Sequence, residues 1–224
     1  GTECSQKPST YPSIYTLLPP PLRQRPTKSA VQGVQAIGRL DQDTTGLILL
    51  SDDGQFIHRM SSPKKHVPKL YEVRMKHDVS AEQVERLLAG VVLDDDPVPV
   101  RAAACVQVDS TLVHLTLTEG KYHQVKRMIA AVGNRVEGLH RSKIGGLQLP
   151  ADLAPGQWRW LDVEDEAELM DSVGIDIETF PTVLLCHADR ALFMGAIPPQ
   201  AEALLRLMAR LGGAGASPAG IGGP

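Results

Sequence analysis

Gly38-Arg39-Leu40-Asp41-Gln42-Asp43-Thr44-Thr45-Gly46-Leu47-Ile48-Leu49-Leu50-Ser51-Asp52-Asp53-Gly54 is the most informative segment of the chain. It begins as a polar loop with two carboxylates, two hydroxyls and a glycine, and runs straight into an apolar strand at residues 46–51. Asp52-Asp53-Gly54 then turns the chain into a short helix over residues 55–60. A loop seated on a buried strand can stand a carboxylate in a cleft on a rigid base, as a catalytic site requires. The same residues also suit an Asx-turn, in which Asp41 and Asp43 only satisfy nearby backbone N–H groups. The residues by themselves leave both readings open.

Outward from this loop, the pattern is hairpins interrupted by single helices. Residues 34–37 start a strand, and residues 69–75 (KLYEVRM) alternate like one. Ser80 is an N-cap for a helix over 81–89, with Gln83 at the capping-box position and Gly90 closing it. Residues 100–108 and 112–118 alternate and form an antiparallel pair around Asp109-Ser110. A helix over 124–132 stops at Gly133-Asn134, and strands at 135–139 and 146–149 follow. This succession predicts an α+β fold rather than a βαβ series. Residues 1–33 are rich in Pro, Ser, Thr and Gln, with only 14–18 reading as a short helix.

Composition narrows the function. With 42% hydrophobic residues the chain of 224 can bury a core. Three widely spaced cysteines, Cys4, Cys105 and Cys186, argue against a disulfide framework, a zinc site or a dithiol redox centre, and suit a reducing cytoplasm. No apolar run is long enough to span a bilayer, and the first residues have no leader pattern. The net charge of -3 hides a split: residues 1–160 carry 20 Lys+Arg against 16 Asp+Glu, and residues 161–224 carry 3 against 10. Residues 121–143 hold six Lys/Arg and one acid, Glu137, which fits either a phosphate-tracking stripe or a solvated helix face.

The pattern G-R-L-D-x-D-T-T-G-L-x-L-x-(S/T)-x-D-G resembles the catalytic signature of the RsuA-type bacterial ribosomal-RNA pseudouridine synthases. A second block, Glu119-Gly120-Lys121-Tyr122-His123-Gln124-Val125-Lys126-Arg127-Met128, is similar to the other hallmark of that branch. It continues through Gly133-Asn134, Leu139-His140-Arg141 and Ile144-Gly145-Gly146 to Leu153-Ala154-Pro155-Gly156. Between the two, Lys69-Leu70-Tyr71 matches the K-x-Y strand of the family. Three blocks in order cover residues 33–160 and are far more specific together than any one alone.

The resemblance implies a mixed, mainly antiparallel sheet with flanking helices and a uridine isomerase acting on ribosomal RNA of the small subunit. It implies no cofactor, metal or nucleotide, because uracil is both leaving group and incoming nucleophile. Asp41 takes the place of the nucleophile or acid/base group at the ribose, and its carboxylate needs an opposing cation. Lys126 matches that cation, with Arg127 next to it. Tyr71 matches the aromatic residue that stacks on the target base and takes its C5 proton. Arg39, Thr45, His123, Gln124 and Arg127 stand as substrate contacts. The basic run of Arg59, Lys64, Lys65 and Lys69 joins residues 121–143 as the expected RNA track.

Two departures from the family are expected. Its members carry a small S4-type RNA-binding domain and an Asn-Lys-Pro-x-Gly strand, and neither is found in residues 1–33, so the synthase domain at 1–160 reads as incomplete at its start. Residues 161–211 instead resemble the second half of a thioredoxin fold, an α/β segment with Pro181 in the place of its cis-proline. An acidic helix over 162–172, paired strands at 182–186 and 192–194 and a helix over 199–211 are expected there, as a subdomain separate from the synthase part, and 212–224 read as a disordered tail. The enzyme is thus expected as a cytoplasmic monomer with ribosomal RNA as partner and no membrane. The alternative is an impaired RNA-binding fragment or chimera that keeps the synthase fold; a thioredoxin-like adaptor lacks C-x-x-C.

Overall fold

Residues 69–75 place Lys69, Tyr71, Val73 and Met75 on one face and Leu70, Glu72 and Arg74 on the other, a period of two that makes this the central strand. The computed structural model describes residues 2–5, 7–23, 25–26, 31–171, 182–187 and 190–196. In chain order its elements open with β1 (Arg25–Pro26), β2 (Val31–Gln32), β3 (Gln35–Ile37), β4 (Thr44–Gly46), β5 (Leu49–Ser51) and helix α1 (Gly54–Ser61). There follow β6 (Lys69–Met75), α2 (Ala81–Ala89), β7 (Val91–Leu93), β8 (Asp96–Val100), β9 (Ala104–Gln107), β10 (Leu112–Leu117) and α3 (Gln124–Ala131). The last are β11 (Val136–Ile144), β12 (Leu147–Gln148), α4 (Val163–Asp171), β13 (Thr182–His187) and β14 (Arg190–Ala196).

The main sheet runs β12-β11-β6-β10-β9 with antiparallel neighbours, and β4 lies parallel to β11. It is the mixed, mainly antiparallel sheet of an α+β fold. Helix α3 covers one face because Val125, Met128 and Ile129 recur at helical spacing; they pack with Val73, Val113, Leu115 and Leu139 of the strands. Leu115 is fully buried there, and cutting it to Ala costs about 2–5 kcal/mol. A second cluster gathers Ile37, Leu49, Met60, Val67, Ile144, Leu147 and Leu169 around β3, β5, α1, β12 and α4. Helix α2 starts on the expected capping box, Ser80 with Gln83, and ends at Gly90.

Several elements differ from the expectation. The single strand at 46–51 is two: β4 pairs with β11 and β5 with β3, because the Leu47 N–H turns to the Arg141 carbonyl between them. Residues 100–108 likewise divide, with Ala102 bonded to the Leu87 carbonyl and Ala103 to that of Thr116 between β8 and β9. The strand expected at 135–139 extends as β11 to Ile144, since β6 pairs with it along its length despite two register shifts.

The division expected after residue 160 is corrected. The compact units are Gly1–Ile175 and Asp176–Pro224, so the acidic helix α4 goes with the first. Leu169 of α4 is fully buried in the second cluster, and a Cβ at Gly146 would stand 2.3 Å from the Glu168 carbonyl oxygen. The contact is backbone on backbone, as close as glycine permits. Arg159 and Asp165 form a side-chain ion pair at the start of the helix. In the second unit β13 and β14 pair antiparallel, with a register shift between Leu185 and Cys186. Pro181, the helix at 199–211 and the tail at 212–224 lie outside the described residues.

Candidate active site

The Asp41 loop is fixed by β11. Leu47 N–H donates to the Arg141 carbonyl at 2.8 Å, and the Arg141 Nε donates back to the Leu47 carbonyl at 2.8 Å. Arg141 Nη1 reaches the Arg39 carbonyl at 3.4 Å, so one guanidinium brackets Asp41 from both sides of the loop. Arg141 is 3% exposed, and its Nη2 is buried without a hydrogen-bond partner among the described residues. Gly46 carries φ +111°, and a Cβ there would stand 2.2 Å from the Arg141 carbonyl oxygen. Only glycine lets the loop close on β11 this tightly. Upstream, Leu40 N–H points at the Cys4 Sγ at 3.4 Å, and Ala36 N–H donates to the Tyr15 hydroxyl at 3.0 Å. The Glu3 carboxylate accepts three backbone N–H bonds, from Tyr11, Thr10 and Ser9, which push its pKa down to about 2.

The second block meets this loop through the first turn of α3. Lys126 Nζ lies 3.4 Å from Asp41 Oδ2, and His123 Nε2 lies 3.4 Å from Asp41 Oδ1. His123 precedes the helix in the left-handed region (φ +49°), and its ring stacks on Tyr122 with centroids 3.8 Å apart. Asp41, Lys126 and His123 are therefore brought together across more than 80 residues of chain.

Sequence reasoning missed the nearest partner of Lys126. Its Nζ donates to both oxygens of Asp43, at 2.6 and 2.8 Å. The bond from Lys126 holds the Asp43 carboxyl below the usual carboxylate range. Burial works to depress the Lys126 ammonium, but the Asp43 hydrogen bond and the charges of Asp41 and Asp43 hold it above its ordinary value. The doubled carboxylate in D-x-D was the available signal. Beside this pair opens a pocket of about 470 Å³ lined by Asp43, Lys126, Ala130, Asn134, Arg135 and Val136.

Tyr71 is half-buried on the α3 face of the sheet, in register with Arg141 on β11 and Leu115 on β10. Lys69 lies two residues away on the same face, its pKa lowered by burial and then by the charge of Arg141. Lys69 and Arg141 thus share the Tyr71 face of the sheet.

Other expected contacts are not brought to Asp41. Arg127 turns to an ion pair with Asp95 and donates to the Tyr122 carbonyl. Gln124 is buried: its side-chain oxygen accepts from Lys121 N–H at 2.7 Å and its nitrogen donates to Glu119 at 2.8 Å. It braces the turn into α3 and does not face the cleft. Thr45 pairs in register with His140 and bonds its ring at 2.8 Å, on the sheet face opposite Tyr71 and Arg141. Arg39 is exposed and lends only its carbonyl to the loop clamp.

The basic stripe is also largely spoken for. Lys121 pairs with Asp96, Lys126 with Asp41 and Asp43, Arg127 with Asp95 and Arg135 with Glu137, while Arg141 is buried. Except for Glu137, acids distant in sequence supply the partners, which a count along the chain cannot see. Among the described residues no helix is long and apolar enough to cross a membrane.

Residues 4–131 match the family model of RNA pseudouridylate synthases. The chain is similar to the ribosomal small subunit pseudouridine synthase A of Escherichia coli (strain K12), 42% identical over 170 residues, which are 76% of this chain and 70% of that one. The protein of the same name from Pasteurella multocida is 42% identical over 167 residues, 75% of this chain and 68% of that one. Among solved structures, a pseudouridylate synthase crystal structure superimposes with a TM-score of 0.68 at 41% identity, over 75% of this chain and 69% of that one.

Proposed function

This chain belongs to the RNA pseudouridylate synthase family, and from that premise we propose that it converts a uridine of small-subunit ribosomal RNA to pseudouridine with Asp41 as nucleophile. The Asp41 carboxylate attacks C1′ of the ribose, and the N1–C1′ bond breaks with its electron pair passing to the uracil. The uracil turns, C5 bonds to C1′, the carboxylate leaves, the C5 proton passes to a base, a role this reading gives to Tyr71, and N1 takes up a proton. Lys126 and His123 hold the carboxylate in place, and Lys69 and Arg141 put positive charge on the Tyr71 face, where the detached uracil carries negative charge. The target base must leave its stack to reach this cleft. The reading takes the protein as a cytoplasmic monomer that needs no cofactor, because both halves of the cleaved bond come from the substrate.

The observation that carries the proposal is the meeting of Asp41 with Lys126 and His123, each 3.4 Å away, at the loop clamped by Arg141. Tritium release from C5-labelled uridine in small-subunit ribosomal RNA tests it. The chain should release tritium, and Asp41→Asn should lower the rate by about 10³-fold or more. Retained release in Asp41→Asn overturns the assignment of the nucleophile; RNA binding with no release from either form favours a binding module.

A further inference from the structure

Lys126 faces two carboxylates and grips the one the family chemistry does not use. Its Nζ holds both Asp43 oxygens at 2.6 and 2.8 Å, while Asp41 Oδ2 is 3.4 Å away. The charged and titratable groups around the ammonium are Asp41 and Asp43 from the loop and, on its own side, His123, which lies against the other Asp41 oxygen. Between 2.7 and 3.4 Å a Coulomb attraction falls only modestly, whereas a hydrogen bond weakens markedly. At the longer distance Asp41 keeps the stabilising field of the cation, but its lone pairs are not tied up. An ammonium free of Asp43 would close on Asp41 and bond the oxygen that must attack C1′.

We propose that Asp43 is a positioning residue for the isomerisation: its two-oxygen grip holds Lys126 beside Asp41 without letting it close on the nucleophilic oxygen. This rests on the reading of Asp41 as nucleophile. Asp43 touches neither ribose nor base in this scheme and acts only through Lys126. The short D-x-D spacing serves it well, because a turn closed by Thr44 N–H on the Asp41 carbonyl at 2.9 Å sets both side chains on one ammonium.

The test compares the full chain with Asp43→Asn, Asp43→Ser, Asp43→Glu, Lys126→Met and the double Asp43→Asn/Lys126→Met, by tritium release, with melting as a check on folding. Asp43→Asn should lower kcat by roughly 10- to 100-fold with KM within about threefold, as for a misplaced catalytic group. Asp43→Ser should do the same, so misfolding of one neutral variant does not decide the matter, and Asp43→Glu should restore most of kcat. In the Lys126→Met background Asp43→Asn should cost nothing further, because the two act as one unit. The alkaline limb of kcat in Asp43→Asn should move to lower pH, since the bond that raises Lys126 is gone; a purely structural role moves neither that limb nor the cycle. A kcat within about twofold of the unmodified chain in both neutral variants, or a loss fully additive with Lys126→Met, overturns the proposal. The Asp41→Asn arm separates the two ideas. Activity there sinks the nucleophile reading itself, and an inactive Asp41→Asn beside an undisturbed Asp43→Asn sinks the positioning role alone.

Discussion

Residues 38–47 are held by main-chain contacts to Arg141, and residues 121–135 by pairs of opposite charges. In the first, Leu47 N–H, the Leu47 and Arg39 carbonyls and the bare Gly46 backbone all meet Arg141. In the second, Lys121, Lys126, Arg127 and Arg135 each find a carboxylate, mostly from elsewhere in the chain. Backbone contacts in a buried setting tolerate little change, because each lost partner strands a polar group. Exposed ion pairs are screened and individually weak. The loop therefore carries positional precision, and the basic segment carries adjustable charge.

Four measurements put that contrast at risk. The largest effect should come from Gly46→Ala, whose Cβ would meet the Arg141 carbonyl oxygen at 2.2 Å with φ at +111°. A loss of about 3 kcal/mol or more in denaturant unfolding is expected, with activity falling alongside; a near-neutral result would mean that the loop is not clamped. Next is Arg141→Met, which leaves the Leu47 and Arg39 carbonyls without their donor. About 2–4 kcal/mol of stability should go, and kcat should drop by roughly 100-fold as Asp41 shifts.

Smaller is the pH-dependent share of the Lys126–Asp43 ion pair, which joins the loop to helix α3 beside the contacts to Asp41. Asp43 has its folded pKa lowered from 3.8, chiefly by the bond from Lys126, so its contribution is fully present above 3.8 and lost as pH falls through the lower folded value. Because the Asp43 side chain is 61% exposed, that contribution should be no more than about 1 kcal/mol. The stability gap between the unmodified chain and Asp43→Asn, measured from neutral to strongly acid pH, should close below the ordinary carboxylate range. A gap that widens on acidification contradicts the assignment. The smallest effect concerns RNA affinity against salt. Lys64→Ala with Lys65→Ala, two exposed cations outside the basic segment, should flatten the slope by about one to two. Lys121→Ala with Arg127→Ala should change it less, since both side chains are already paired with Asp96 and Asp95. The reverse ranking would restore residues 121–143 as the phosphate track.

Local pattern settled much of this molecule. The alternation of Lys69–Met75, the capping box of Ser80 with Gln83 and the apolar spacing of α3 are properties of neighbouring residues, so they could be read directly and they occur as expected. The sequence blocks likewise picked out Asp41 and Lys126, which meet at 3.4 Å. Tertiary structure decided what depends on distant partners. It split residues 46–51 between two sheets through Arg141, and it drew α4 into the first unit through Leu169 and Gly146. It turned Arg127 and Lys121 to Asp95 and Asp96, buried Gln124, and set Asp43 closer to Lys126 than Asp41. The physical reason is common to all of these. Helix caps and strand faces are fixed within a few residues, whereas the partner of a charge or a backbone N–H is whatever the fold carries to within about 3 Å, and a linear chain does not record that distance.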